Sequence, residues 1–355
     1  MDSYQSPFIR LLPASVPLDI IGDVHGEWLP LQQLIHFLGY DEYGHHPRGR
    51  KLVFVGDLCD RGTDSPAVLD WTIDAVASGN AYTVIGNHEL NLLINDPKDG
   101  SGWFFTDRTQ DEERYAPWQH YAQYKRQQLK EKIAQWPLIL QRDDLRIVHA
   151  AWLPDSIKKL REYQSSSLAE VNNYWEARFH DDFRQTAWYE VYRAEIEQLG
   201  SQLENENCAM TFQPGIAHYD LLRSSHNPVR ALTSGIQALT TTPFYINGRW
   251  RFTIRKPWWQ QYSEPIAVII GHYWRSWYRD GVAEHRRELF REAPTQWLGE
   301  HQQVFCIDYS IGARWRERQQ SIQPAQSRMH LAALRWPEKV IVLDNGKNYL
   351  SEKKH

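Results

Sequence analysis

LDIIGDVHG, residues Leu18–Gly26, runs four largely apolar residues into a glycine and follows them with an aspartate and a histidine. The run is short and ends at Gly22, which suits a buried strand. After it, Trp28, Leu31, Leu34, Ile35 and Leu38 recur at helical spacing. The same sentence is then written again. KLVFV (Lys51–Val55) stops at Gly56 and precedes a helical pattern with Ala67, Val68, Trp71, Ile73 and Val76. AYTVI (Ala81–Ile85) stops at Gly86. Short apolar strands separated by helices predict βαβ units and a mainly parallel, covered sheet, hence an α/β fold.

Further along, residues 97–117 read as polar and irregular, and a helix is expected from there to about Gln135. Leu145–Val148 reads as a strand ending at His149. The stretch from Ser156 to about Asn207 is charged and aromatic, and reads as helices with mixed faces. It is taken as a helical insertion or cap over 155–235 within a single domain of 1–355. Strand-like runs return at Ala267–Ile270, Val304–Ile307, Met329–Leu334 and Lys339–Leu343.

Composition narrows the classes. The chain has 355 residues, 42% hydrophobic and 24% charged, which is too apolar for disorder. Three widely spaced cysteines exclude a disulfide framework and thiolate zinc motifs, and suit a reducing compartment. Forty basic against 44 acidic residues leave no global footprint for nucleic acid. No run reaches a membrane span, and the N-terminus lacks the apolar core of a secretory signal. The expectation is a cytoplasmic protein.

Three strand ends carry the chemistry: GDVHG (Gly22–Gly26), GDLCDRG (Gly56–Gly62) and GNHE (Gly86–Glu89). Open α/β sheets gather ligands beyond the carboxyl ends of their strands. The residues offered there are Asp23, His25, Asp57, Asp60, Asn87 and His88, a mixed oxygen and nitrogen set suited to Mn, Fe, Zn or Mg. Carboxylates gathered at one point repel one another, and divalent cations relieve this. Asp57, on the middle strand of the three, is the natural bridge between two ions. His149 and His272, each directly after an apolar run, can supply further imidazoles.

Taken in order, GDVHG, GDLCDRG, GNHE, VHA (Val148–Ala150) and GH (Gly271–His272) resemble the calcineurin-like metallophosphoesterases. The resemblance is to the branch of serine/threonine protein phosphatases and bacterial symmetrical dinucleoside-tetraphosphate hydrolases. It implies a sandwich of two mixed sheets flanked by helices. It also implies two divalent ions, Mn foremost, with Fe, Zn, Mg or Ni as alternatives. One would be held by Asp23, His25 and Asp57, the other by Asp57, Asn87, His149 and His272. His88 would protonate the leaving oxygen or bind phosphate, Asp60 would orient His88, and Arg61 would hold phosphate oxygens. A water between the ions would attack phosphorus in line.

The sequence departs from the family at GHYW, where many phosphodiesterases carry a second histidine in the place of Trp274. That favours a phosphomonoesterase acting on a phosphoprotein, nucleotide or small phosphoester. Dinucleoside polyphosphate hydrolysis is the alternative and phosphodiester hydrolysis the third reading. A catalytically silent metal scaffold would need neither His88 nor Asp60. A nucleic-acid-end phosphatase would need a basic patch that the overall charge does not announce. Arg223, Arg230 and Arg275 are candidates for a second phosphate-binding arginine, and His218 for a substitute ligand. Cys59 is an ordinary residue or a redox-sensitive one, and RWRER (Arg314–Arg318) is read as solvated charge.

Overall fold

The computed structural model describes residues 6–163, 165–246, 249–278 and 289–353, so the first five residues of the N-terminal stretch read above lie outside it. The opening pattern folds as its periodicity dictates. Strands β1 (Ile9–Leu11) and β2 (Leu18–Ile21) are followed by helix α1 (Trp28–Leu38), then β3 (Lys51–Phe54), α2 (Ser65–Ala77) and β4 (Ala81–Thr83). Helix α1 buries Leu31, Leu34, Ile35 and Leu38, and ends at Gly39, whose φ of 91° closes it in the left-handed region. Helix α2 opens with Asp64, whose carboxylate accepts from the Ala67 amide. β2, β3 and β4 pair in parallel, with Ile21 beside Phe54 and Phe54 beside Thr83. Asp57 therefore does follow the middle strand of the three.

The short helices α3 (Asn87–Leu93), α4 (Gln110–Tyr115) and α5 (Arg126–Ile133) come next, then strands β5 (Ile139–Arg142) and β6 (Leu145–Val148). Later strands are β9 (Ala267–Ile270), β10 (Val304–Cys306), β11 (Ala332–Trp336), β12 (Val340–Leu343) and β13 (Asn348–Leu350). Among the described residues two mixed sheets result. One has the order β13-β12-β11-β2-β3-β4 and the other β1-β5-β6-β9-β10. Ile20, Val53 and Leu334 of the first sheet share a core with Leu140, Ile147, Ile269 and Phe305 of the second. Two layers thus close on one apolar seam, the sandwich that the resemblance implies. β6, β9 and β10 run parallel, so their carboxyl ends also gather at one edge.

Some boundaries move. The helix expected up to about Gln135 is confined to Gln123–Lys125 as a 3-10 turn and to α5. The stretch read as irregular contains α4, a single-sided helix too short for periodicity to reveal. β11 starts at Ala332 rather than Met329, because its ladder with β12 begins at Ala332, opposite Leu343, and its ladder with β2 at Ala333.

Residues 1–150 and 259–355 form one compact unit, and Ala151–Trp258 another. The second unit holds helices α6 (Pro154–Glu162), α7 (Leu168–Arg184), α8 (Trp188–Leu199), α9 (Pro214–His226) and α10 (Pro228–Ser234). A hairpin that sequence reading did not single out, β7 (Gln237–Ile246) with β8 (Arg249–Arg255), completes it. Among the described residues, no helix is long and apolar enough to cross a membrane.

Candidate metal centre

Every residue in the expected ligand set stands past the end of a strand: Asp23 and His25 after β2, Asp57 after β3, Asn87 after β4, His149 after β6, His272 after β9; the expected proton donor His88 follows Asn87. The loops are tied to each other through backbone. The amides of Val24 and His25 both donate to the Asp57 carbonyl at 2.9 Å, and the Gly271 amide donates to the His149 carbonyl at 2.8 Å. Non-glycine residues with positive φ collect here: His25, Asp57, Asp60, Arg61, His272 and Trp274. Each costs on the order of 1 kcal/mol, and persists because the surrounding bonds fix it. Gly86 and Gly271 let backbone reach the acids. A Cβ on the first would strike the Asp57 carboxylate, and on the second the Asp23 carboxylate.

Asp57 lies at the middle of the cluster. Its Oδ2 is 3.2 Å from His149 Nε2, 3.8 Å from His88 Nε2 and 3.9 Å from His25 Nε2. His25 Nε2 is also 3.9 Å from Asp23 Oδ2. Asn87 Oδ1 lies 2.8 Å from His272 Nδ1 and 3.3 Å from His149 Nε2. Two groups have ligand atoms all within 4.8 Å of one another: His25, Asp57 and His88, and Asp57, His149 and His272. They share Asp57.

The donor set fits divalent cations on its own chemistry. His149 Nδ1 donates to the Val55 carbonyl at 2.7 Å, and His25 Nδ1 to the Cys59 carbonyl at 3.1 Å. Both bonds fix the tautomer that leaves the Nε2 lone pair facing Asp57. Burial, then Asp308 and Asp57, push the Asp23 carboxyl well above the usual range. Burial also pushes Asp57 up, but the imidazoles of His149, His88 and His25 outweigh it and hold Asp57 well below. Burial, with Arg61 and His88, lowers His25. Buried acids in conflict with each other are what a cation would relieve.

Beside this cluster stands a second constellation. His88 Nδ1 is 2.5 Å from Asp60 Oδ2, and Asp60 Oδ1 accepts from Trp103 Nε1 at 2.5 Å. The Arg61 guanidinium lies 4.9 Å from the centre of the Trp274 ring. Its Nη1 is 3.4 Å from His25 Nε2. Trp274 thus offers the arginine an aromatic face.

Some residues that matter here were not singled out from the sequence. Glu89 accepts from the amides of Asp57, Leu58 and Gly86 at 2.7–2.9 Å, and so holds the loops after β3 and β4 together. Its place in GNHE was the available signal. Asp308, two residues past β10, accepts from the Trp274 and Ser310 amides. Arg318 is not free solvated charge: it pairs with Glu27 and donates to the Arg61 carbonyl at 3.3 Å. Arg275 is buried and donates to the carbonyls of Ala293, Gln296 and Cys306, so it is no phosphate ligand. Cys59 is buried beside Glu89, and burial, then Asp60 and Glu89, raise its thiol, which argues against a reactive thiolate. In the second unit, Arg223 and Arg230 pair with Glu176. There His218 stacks on Trp188 at 3.5 Å with Nδ1 on the Pro214 carbonyl.

Curated relatives match over short stretches. An asymmetrical bis(5'-nucleosyl)-tetraphosphatase of Anoxybacillus flavithermus is 48% identical over 73 residues, covering 20% of this chain and 30% of that protein. A symmetrical bis(5'-nucleosyl)-tetraphosphatase of Ralstonia nicotianae is 41% identical over 80 residues, covering 22% of this chain and 25% of that protein. The chain thus spans less than a third of the length of either relative. A solved cold-active protein-tyrosine phosphatase of a psychrophilic Shewanella species is 16% identical, covering 98% of this chain and 82% of that one, with a TM-score of 0.44. That structural likeness carries no functional argument. The family model for calcineurin-like phosphoesterases matches residues 16–273, nearly three quarters of the sequence, and the chain belongs to that family.

Proposed function

We propose that the chain hydrolyses phosphate monoesters with two divalent cations, Mn foremost and Fe, Zn, Mg or Ni as alternatives. The observation that carries the reading is the Asp57 carboxylate shared by two imidazole groups, with the His88–Asp60 pair alongside. Asp23, His25 and Asp57 would hold one cation, and Asp57, Asn87, His149 and His272 the other. Such a pair supplies an activated water and neutralises phosphate charge. Arg61 binds two phosphate oxygens through its fork, and the Trp274 face limits the orientations of its guanidinium. Asp60 accepts a hydrogen bond from His88 Nδ1–H, and the ring, protonated at both nitrogens, would pass its Nε2 proton to the departing ester oxygen. Water adds to phosphorus, the P–O ester bond breaks, and an alcohol and phosphate leave.

Dinucleoside polyphosphate hydrolysis is the second reading, supported by the names of the relatives matched over a fifth of the chain. Those names include both symmetrical and asymmetrical cleavage, so they do not choose a position. A phosphodiesterase is the third reading, and the tryptophan in the second-histidine position weighs against it. The buried free thiols suit a cytoplasmic setting. The test is a panel of an aryl monoester, a diester, diadenosine tetraphosphate and phosphopeptides, each with added Mn and with chelator. Turnover of the monoester that chelator abolishes is expected. Preference for diadenosine tetraphosphate would install the second reading, and no turnover with any divalent metal would sink both.

A further inference from the structure

The loop Gly100–Trp103 touches two of the residues beside the metal centre. The Gly100 carbonyl accepts from the Arg61 amide at 3.0 Å. Three residues on, the indole Nε1 of Trp103 donates to Asp60 Oδ1 at 2.5 Å, while His88 Nδ1 lies 2.5 Å from Oδ2 of the same carboxylate. Trp103 and Asp60 are fully buried. Among the described residues, that indole and that imidazole are the partners of the Asp60 carboxylate. A carboxylate shut off from water needs a donor on each oxygen, and a donor in a fixed place also fixes the carboxylate plane. His88 is the group that Asp60 has to orient. Trp103 is then what remains to set Asp60.

The indole is itself held in place. Its ring lies 5.4 Å from that of Phe104 and meets Tyr121 edge-on at 6.2 Å between centroids. The Tyr121 amide donates to the Trp103 carbonyl at 2.9 Å, and the Tyr121 hydroxyl to Asp70 of α2, also at 2.9 Å. Asp111 of α4 accepts from the amides of Gly100 and Gly102 at 3.1 and 3.0 Å, and pairs with Arg108. The Asp60 amide donates to Ser65 Oγ at 2.9 Å, which secures a backbone with φ of 74°. Backbone and side chain of Asp60 are therefore fixed by separate contacts, and the side-chain contact comes from Trp103.

We propose that Trp103 is a positioning residue for proton transfer: its N–H holds the Asp60 carboxylate so that Oδ2 keeps the His88 ring aimed at the departing ester oxygen. This role rests on the reading of His88 as proton donor in monoester hydrolysis. In that step the departing oxygen takes the electron pair of the broken P–O bond and the Nε2 proton. The imidazole becomes neutral, and its Nδ1 proton stays in the bond to Asp60. A carboxylate free to rotate lets the imidazole turn, and a misplacement of about 1 Å costs on the order of 10²-fold in rate. Phenylalanine at 103 keeps an aromatic ring but brings no donor, so Oδ1 is left buried and unpaired.

The test compares aryl phosphate monoesters of graded leaving-group acidity, hydrolysed by the full chain with Mn. Dinitrophenolate leaves without a proton, whereas phenolate needs one. Trp103→Phe should lower kcat and kcat/KM for phenyl phosphate together by about 10–100-fold. It should leave dinitrophenyl phosphate within about threefold and metal content unchanged. In an Asp60→Asn background the same substitution should add less than about twofold, because it acts through that carboxylate. His88→Ala should show the same dependence on the leaving group, only larger. A uniform loss in His88→Ala would remove the proton donor, and the role of Trp103 with it. If His88→Ala discriminates but Trp103→Phe slows all esters equally, slows none, or adds in full to Asp60→Asn, the donor stands and the positioning role is overturned. A second readout leaves Trp103 in place. In the Mg-loaded protein one indole N–H resonance should lie downfield, exchange slowly with solvent, and move upfield in Asp60→Asn. If no indole resonance responds to Asp60→Asn, the indole does not hold that carboxylate and the role falls.

Discussion

His88 offers one imidazole to two competing roles. Its Nε2 lies 3.8 Å from Asp57, close enough to be counted with a metal group, while its Nδ1 is held by Asp60. As the proton donor, its replacement should cost turnover and spare the metal. His88→Ala is expected to lower kcat by roughly 10²–10⁴, with metal content by elemental analysis unchanged; a matching loss of metal would make it a ligand instead. Trp274 admits a separable prediction. The guanidinium of Arg61 over its ring gains about 0.5–2 kcal/mol, an interaction made equally in the bound substrate and at the transition state. Trp274→Ala should therefore raise KM by about 2–30-fold with kcat little altered, and Trp274→Phe should recover part of the loss. If kcat falls and KM stays, the ring serves the chemical step rather than the arginine.

Elements were legible to the degree that burial imposes a simple period. Leu18–Ile21, Leu145–Val148 and Ala267–Ile270 are buried runs whose limits the sequence marks with a glycine or histidine, and the strands coincide with them. The candidate ligands were legible for the same reason, since they follow such runs. Glu89 was not, because its task is to satisfy three amides of loops whose approach only the tertiary fold creates. The hairpin β7–β8 was not, because its mixed exposure and its arginines blur the alternation. Helices α7, α9 and α10 show a further tie that no pattern announces. Glu176 accepts from Arg223 and from Asn227, and lies against Arg230. Burial raises its carboxyl, but Arg223 and Arg230 outweigh this and hold it below its ordinary value. A depressed carboxyl stabilises fully above its unfolded value, about 4.3, and the contribution is lost as pH falls through the folded value. Glu176→Gln should thus cost about 1–3 kcal/mol at pH 7, measured by urea unfolding, and the gap should narrow below about pH 4. A gap independent of pH would show that packing, not charge, links the three helices.

For the whole molecule, the division into two compact units decides what a cation can stabilise. Asp23, His25, Asp57, Asn87, His149 and His272 all belong to the unit made of 1–150 and 259–355, and none to Ala151–Trp258. The six come from strand ends spread across two sheets, so the unfolded chain holds no comparable site, and binding free energy becomes folding free energy of that unit. At a hundredfold excess over Kd, each Mn bound should add about 2.7 kcal/mol. For a unit of this size each kcal/mol moves the midpoint by about 2–4 °C, which predicts a rise of about 5–11 °C for each cation bound on metal addition to chelated protein. Calorimetry reads the shift, and hydrogen exchange reads its location. Amides of β2, β3, β6 and β9 should slow with Mn, while those of α7 and α9 keep their rates. Equal slowing in both units would mean that they unfold as one cooperative body, and no slowing in the strands would remove the cation from the residues assigned to it.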